Sequence, residues 1–287
     1  MGASLDIDLL RSFLAIAQAG TLSAAATRVG RTQSALSMQM QRLEDATGQA
    51  LLHRTGRGVR LTRQGERLLA HAQRILASHD EALADLTGSG LAGTLCFGCP
   101  DDYAAAFLPP LLRGFAAQHP LARIEVLCAP SPRLRERLAD GTLDMALVSV
   151  PVTGATAREP LLRREPLVWV ASPSAEALQQ QPLPLALSDP DVLDHQAACE
   201  GLERLGIAYR VAYASGSLTG LVAVARAGTA VAVLTRCAVP PDLLVLPEAG
   251  QLPPLPQVGI TIAHARTRPT ALARAFSTHI AAVLPAL

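Results

Sequence analysis

Lysine and asparagine are absent from this 287-residue sequence, and no apolar run approaches the roughly 20 residues that a membrane-crossing helix requires. All 25 basic side chains are therefore arginine, which points to a GC-rich coding bias rather than a physical requirement, and no function is drawn from it. Cysteine is scarce and odd in number, at five, so the thiols are read as reduced rather than as a disulfide framework. Cys96 and Cys99 do form a C-x-x-C, but on an expected buried strand, where residues three apart face opposite ways, and no second ligand pair follows at zinc spacing. The first residues carry Asp6 and Asp8 among apolar side chains with no basic prelude, so no secretory signal is read and a cytosolic protein is expected. The signatures of common enzymes are missing too: there is no phosphate-cradling glycine loop, no G-x-S-x-G elbow and no His-x-x-x-His or glutamate-rich metal pattern. The seven histidines are scattered, and the paired acids Asp101/Asp102 and Asp189/Asp191 are read as caps or turns. No catalytic residue, metal or cofactor is expected.

What is present is enough apolar residue, 49%, to exclude general disorder and to fill two or three compact units. The formal charge of +1 conceals an uneven distribution. Residues 1–63 carry eight arginines against four acids, residues 64–93 two against four, and the remainder fifteen against sixteen. The basic excess, +4, lies in the N-terminal segment, which is where a nucleic-acid contact would use it.

That segment has the pattern of a helix-turn-helix. Leu22, Ala25, Ala26 and Val29 give a short helix one apolar side, Gly30 can adopt the left-handed conformation that ends it, and Thr32 can cap the next. In the second helix Leu36, Met40 and Leu43 recur at steps of four and three and form a buried stripe, while Ser34, Ser37, Met38 and Gln41 project oppositely. A polar, uncharged outer face suits base edges. The following hairpin, 51–62, sets Val59 and Leu61 on one face and Arg54, Arg57 and Arg60 around a flexible tip, reading as a wing whose guanidiniums match phosphate oxygens. Gln33 near the helix N-terminus is placed to pair with adenine, and Ser34 and Ser37 to reach bases or phosphates. The plainer reading of the same residues is an ordinary three-helix domain with a solvated face.

The runs Phe13–Ala26, Thr32–Ser37, Arg42-Leu43-Glu44, Leu51–Arg54 and Leu61–Gly65 together resemble the opening of LysR-type transcriptional regulators. The resemblance is tightest over the first seventy residues and looser beyond. It departs at Leu52, where the family usually has phenylalanine. It implies a winged helix-turn-helix domain (1–62) that binds double-stranded DNA through Arg31, Thr32, Gln33, Ser34, Ser37, Met38, Gln41, Arg54, Arg57 and Arg60. A linker helix (63–88), a hinge (89–93) and an effector-binding domain (94–287) would follow. The fold class so implied is an α/β effector domain of two Rossmann-like lobes, similar to periplasmic binding proteins, behind a helical DNA-binding head. One lobe would comprise 94–162 with 265–287, the other 163–264.

Along the linker, Leu69, Ala72, Leu76, His79, Leu83 and Leu86 step along one seam, widened by Leu68, Ile75 and Ala82. One helix cannot bury so much alone, so a homodimer or homotetramer paired through it is expected, packing against its own domain being the alternative. Beyond the Gly88–Gly93 break, strands are expected at 95–99, 124–129, 145–150, 167–172, 209–215, 230–234 and 259–264. Helices are expected at 109–118, 132–140 and 218–227, an order that implies parallel sheets with helical crossovers. Ligands in such folds sit at strand C-termini near helix N-termini. The candidate small-molecule effector contacts are therefore the loop Pro100-Asp101-Asp102-Tyr103, then Ser131 and Arg133, Ser149, and Ser215, Ser217 and Thr219. Plain helix capping competes for Ser131 and Ser217, and Arg133 is the base available to offset the two aspartates. Two other readings are a thiol-responsive regulator using Cys199 with His195 one helical turn before it, and a solute-binding protein, which the N-terminal reader opposes.

Overall fold

The computed structural model describes residues 4–55, 58–87, 91–152, 159–174, 176–247, 251–266 and 269–287. They form two compact units, one ending at Gly93 and one beginning at Thr94.

The first unit opens with α1 (Ile7–Ala19), α2 (Leu22–Val29) and α3 (Gln33–Thr47). Each begins on a side chain that accepts orphan N–H groups: Asp6 from Asp8 and Leu9, Thr21 from Ala24, Thr32 from Ala35, as the short polar residues at these sites lead one to expect. Gly30 takes φ +64° between α2 and α3, the left-handed turn that lets the two helices cross. Leu10, Phe13 and Ile16 of α1, Ala25 and Ala26 of α2, and Leu36, Met40 and Leu43 of α3 share one core. Val29, expected on the apolar side, is 36% exposed, because α2 turns its last residue past the core edge.

The wing is an antiparallel pair, β1 (Leu52–Thr55) and β2 (Gly58–Leu61), with Leu52 opposite Leu61. It is tied down at two places. The Glu44 carboxylate accepts the N–H groups of Leu51 (2.7 Å) and Leu52 (3.2 Å), and Val59 N donates to Gly20 O at 2.8 Å. The second tie demands glycine at 58: with φ +144°, a Cβ there would lie 2.4 Å from Gly20 O.

The long helix α4 (Arg63–Thr87) starts beside Thr62, whose hydroxyl donates to Ala50 O and accepts from Gly65 N. Its apolar seam divides. Leu68, Leu69, Ala72 and Leu76 complete the core of their own unit, whereas Ile75, Leu83 and Leu86 are exposed at 36%, 49% and 85%. The single continuous partner-facing stripe read from the sequence is thus corrected: the first half is spent on the α1–α3 bundle. His79 sits half-buried at 3.2 Å from the Asp80 carboxylate, which also pairs with Arg11. The break at 88–90 lies outside the described residues.

The second unit runs β3 (Gly93–Cys99), α5 (Asp101–Gln118), β4 (Ala122–Cys128), α6 (Ser131–Ala139), β5 (Met145–Pro151), β6 (Arg163–Ala171), β7 (Leu183–Leu187), α7 (Leu193–Arg204), β8 (Tyr209–Ala214), α8 (Leu218–Arg226), β9 (Val231–Thr235), β10 (Leu244–Val245), β11 (Gln257–His264) and α9 (Ala271–Val283). The strand path is β4-β3-β5-β11-β6-β9-β7-β8, with β10 on β6. Parallel pairs β3/β5, β7/β8 and β7/β9 carry the expected crossovers, but β11 runs antiparallel to β5 and β6, and β6 antiparallel to β9. The sheet is therefore mixed. Strand β6 hands the chain across: Arg163–Pro166 pair with β11, Leu167–Val170 with β9. Because β11 pairs with β5 from Val258 to His264, this strand stands with the first lobe rather than the second, where the sequence reading placed it. The first lobe is cored by Leu134, Leu138, Leu143 and Val148 on one side and by the edge-packed rings of Phe97, Phe115 and Phe276. The second is cored on both faces of its strands.

Candidate functional site

Two surfaces collect the residues singled out by the sequence. On the first unit, Arg31, Thr32, Gln33, Ser34 and Gln41 are exposed and Ser37 half-buried, while Met38 is 63% exposed. They form the outer side of α3 and the turn leading into it. Two of these groups are already engaged: Ser34 Oγ lies 3.0 Å from the capping Thr32 hydroxyl, and Gln41 Nε2 donates to Asp45 at 2.9 Å. Gln33 is placed at the first position of the helix, where side chains point back past the N-terminus. On the wing, Arg60 is exposed; the Arg54 side chain and all of Arg57 lie outside the described residues. Sequence reasoning missed two groups that position this face. Gln39, on the inner side of α3, is buried with its Oε1 accepting from Ser12 Oγ of α1 at 2.7 Å. Glu44 joins α3 to the wing. The signal for Glu44 was its place between the buried Leu43 and the coming strand, where an acid can meet only backbone donors.

On the second unit, a cavity of about 90 Å³ opens between the lobes. Pro100, Asp101, Asp102, Ser131, Ser149, Ser215 and Ser217 line it. Tyr103, Arg133 and Thr219 do not. Tyr103 is fully buried with its hydroxyl 2.7 Å from Ser149 Oγ, because the expected loop 100–103 is instead the first turn of α5. That helix begins eight residues earlier than the sequence suggested and contains Pro109 and Pro110. The prolines forgo the bonds to the Ala105 and Ala106 carbonyls, and the packing of Phe107, Leu108, Leu111 and Phe115 holds the helix through them. Arg133 points to solvent and pairs with Glu136 at 3.1 Å; Thr219 is exposed.

Neither serine caps its helix by side chain. Ser131 Oγ accepts Ser149 N at 2.8 Å, fastening α6 to β5, and Ser215 Oγ accepts Ser217 N at 3.2 Å. The lobes are bridged by acids. Asp101 accepts Leu218 N at the start of α8 (3.3 Å), and Asp102 accepts from Thr235 Oγ1 (2.8 Å). Away from the cavity, Glu165 on β6, paired with Arg163, accepts Cys237 N at 2.8 Å. Burial lifts the Asp102 carboxyl to about 6, against the lowering effect of the Thr235 and Tyr103 hydrogen bonds, and the Asp194 charge lifts it further. Burial also raises Asp194.

Asp194, Ser188 and Thr235 line the cavity with apolar Leu167, Val233 and Val258, and none was foreseen. Strand β7, which delivers Ser188, is wholly buried and interrupted by Pro184, so it shows neither alternation nor uninterrupted β-branched residues; the Ser188-Asp189-Pro190 turn after it was the available signal.

Three of the five cysteines are held in the thiol form by burial. Burial raises Cys96 and Cys237 to about 12 and Cys99 well upward. Cys199 is half-buried against the second-lobe core, and His195 places its Nδ1 2.8 Å from Ser188 O. Among the described residues no group of acids, histidines and cysteines is arranged to hold a metal, and no helix is long and apolar enough to cross a membrane.

A winged helix-turn-helix followed in one chain by a two-lobed α/β unit with an interlobe cavity is the make-up of a transcriptional regulator with a sensing domain. Comparison with known proteins agrees. Residues 7–66 match the bacterial regulatory helix-turn-helix protein model of the lysR family, and residues 88–285 the LysR substrate binding domain. The chain belongs to the LysR family of transcriptional regulators. It is 60% identical over its whole length to the HTH-type transcriptional regulator DgdR of Burkholderia cepacia, covering 97% of that protein. It is 35% identical over 88% of its length to the regulator PecT of Dickeya dadantii, covering 79% of it. Solved structures sharing the fold include full-length CbnR with its target DNA (TM-score 0.61, 22% identity, 96% of this chain and 99% of that one) and LysG of Corynebacterium glutamicum with bound effector Arg (TM-score 0.57, 18% identity, 97% of each).

Proposed function

We propose that this LysR-family chain is a sequence-specific regulator that reads double-stranded DNA with α3 and answers to a small molecule held between the lobes of its second unit. Gln33 and Ser34, with Ser37, Met38 and Gln41 along the same face, meet base edges in the major groove. Arg31, Thr32 and the wing residues Arg54, Arg57 and Arg60 hold phosphates or the adjacent minor groove. The observation that carries this reading is the construction of α3: Leu36, Met40 and Leu43 are consumed in the core, its outer side is polar apart from the exposed Met38 and without net negative charge at the N-terminal end, and the wing is fastened to it through Glu44. The named relatives are transcriptional regulators, and one solved structure of this fold holds its target DNA. The named relatives favour a binding role over a catalytic one.

The exposed second half of α4 supports assembly into a homodimer or homotetramer, which a reader of pseudo-palindromic DNA requires. Effector that prefers one lobe arrangement would shift the spacing of the reading heads and the DNA bend. The test is fluorescence anisotropy on genomic fragments retained by the purified protein. Gln33→Ala should cost about 1 to 3 kcal/mol on the selected site and little on random duplex. Arg60→Ala should weaken both alike and reduce the salt slope by about one. Equal losses on both duplexes for both variants would remove these roles.

A further inference from the structure

The charge of the interlobe cleft has one sign. Its ionisable lining residues, among those described, are Asp101 and Asp102 from the first lobe and Asp194 from the second; no arginine or histidine lines it. Arg133, the base enlisted by the sequence to offset them, is fully exposed and engaged with Glu136. We propose that the cleft takes a compact organic cation, an aliphatic ammonium compound, whose N–H donors are accepted by Asp102 and Asp194 from opposite lobes. This rests on the reading of the cleft as the effector site and names the chemistry of its occupant.

Four observations converge on it. Three of the four helix ends at the cleft, which would ordinarily favour an anion, are already answered by the protein: Asp101 and Asp102 occupy the first turn of α5, Asp194 that of α7, and Asp101 accepts the first N–H of α8, while α6, which begins at Ser131, has no acid in its first turn. A carboxylate ligand would meet these three acids, whereas an ammonium group would meet acceptors. The second observation is desolvation without a counter-ion. The titratable groups that act on Asp102 or feel its charge include Asp194, Tyr103, Cys99 and Cys237, and none of these is a cation. Asp194 has His195, whose ring reaches Ser188 O. Burial favours the neutral forms of both carboxyls, and the Asp194 charge adds to this at Asp102, a cost that a cation between them relieves. Third, Ser188 Oγ is buried in the lining with no hydrogen-bond partner of good geometry, though it lies close enough to Asp194 to favour its charge; it is a further acceptor for an N–H. Fourth, the space is small and walled by Leu167, Val233 and Val258. At about 90 Å³ it is below the roughly 150 Å³ that accommodates benzene, so the occupant has few carbon atoms unless the lobes part.

The test follows thermal unfolding of the full-length protein through Trp169, its one tryptophan, which lies in β6. The probes are propylammonium, 1-propanol and propionate at matched ionic strength near neutral pH. Saturable stabilisation by propylammonium is expected, with apparent affinity about tenfold or more above the other two. Asp102→Asn and Asp194→Asn should each weaken it by about tenfold, and Ser217→Trp, at an exposed lining position, should block it. Propionate binding as tightly as propylammonium, or a propylammonium effect unaltered in both asparagine variants, would overturn the assignment. So would the absence of any propylammonium effect up to about 100 mM, since even a four-atom ligand of good fit binds below that. The two readings fail separately. If propionate binds and Ser217→Trp abolishes it, the charge assignment falls and the cleft stands; if Ser217→Trp changes the response to no probe that binds, the cleft itself falls as the site.

Discussion

Replacing Asp102 by asparagine should stabilise the second unit, and should do so only where the native carboxyl is ionised. The residue is half-buried at the cavity, with its Oδ2 accepting from Thr235, and desolvation moves its titration up to about 6. A carboxyl whose folded value exceeds its unfolded value binds more protons in the fold, so stability falls as pH rises from about 4 through the folded value and is level above it. With an unfolded value near 3.9, the shift of about two units makes the ionised native state about 2 to 3 kcal/mol less stable, relative to the protonated one, at pH 8 than at pH 4. Asparagine is always neutral and still offers an oxygen to Thr235. The difference in stability between Asp102→Asn and the native protein should therefore move by about 2 to 3 kcal/mol in favour of the variant between these pH values, or about 5 to 10 °C in the unfolding midpoint for a unit of this size. Taking the difference between the two proteins cancels most of the contribution of Asp194, which is raised in both. Trp169 is 5% exposed within the same unit, so its emission follows this transition without interference from the DNA-binding unit. A gap that stays constant with pH, or that moves toward the native protein at pH 8, would refute the assignment of a desolvated, uncompensated charge.

Gly58→Ala should detach the wing: the new Cβ would meet Gly20 O at 2.4 Å, breaking the Val59–Gly20 bond, so affinity for all DNA sequences should fall about tenfold while α1–α3 keep their helical circular dichroism. Glu44→Ala leaves the Leu51 and Leu52 N–H groups without their shared acceptor. It should cost about 1 to 3 kcal/mol in the stability of the first unit by chemical denaturation, with Glu44→Gln, which keeps one acceptor oxygen, recovering part of the loss.

The helix-turn-helix was legible because every part of it is local. Caps, turn glycine and apolar stripe lie within thirty residues, and each is a short-range constraint that single residue types announce. The interlobe cleft was legible only in part. Asp101, Ser131 and Ser215 sit directly after recognisable strands, but Asp194 and Thr235 reach the same cavity through strand order, and strand order is fixed by β6 and β11, whose antiparallel crossing no local pattern reports. Strand β7 was lost because a strand buried on both faces has no period to read. Helix α5 was started too late because Pro109-Pro110 looked like a beginning; the aromatic and leucine packing that carries the helix through them is a tertiary effect. The linker seam was read as one stripe because periodicity reports which side is apolar and not what covers it.

Among the described residues the chain passes between the lobes where β6 leaves and β11 returns, and these two segments are themselves hydrogen-bonded from Arg163 to Pro166. The connection is thus a two-ply ribbon. Such a ribbon resists stretching and sliding, because either would break its shared ladder, yet it yields readily to torsion about its own length. On the proposed reading, an occupant of the cavity would be sensed as an angle between the lobes rather than as a distance, and occupants large or small would be reported along the same coordinate.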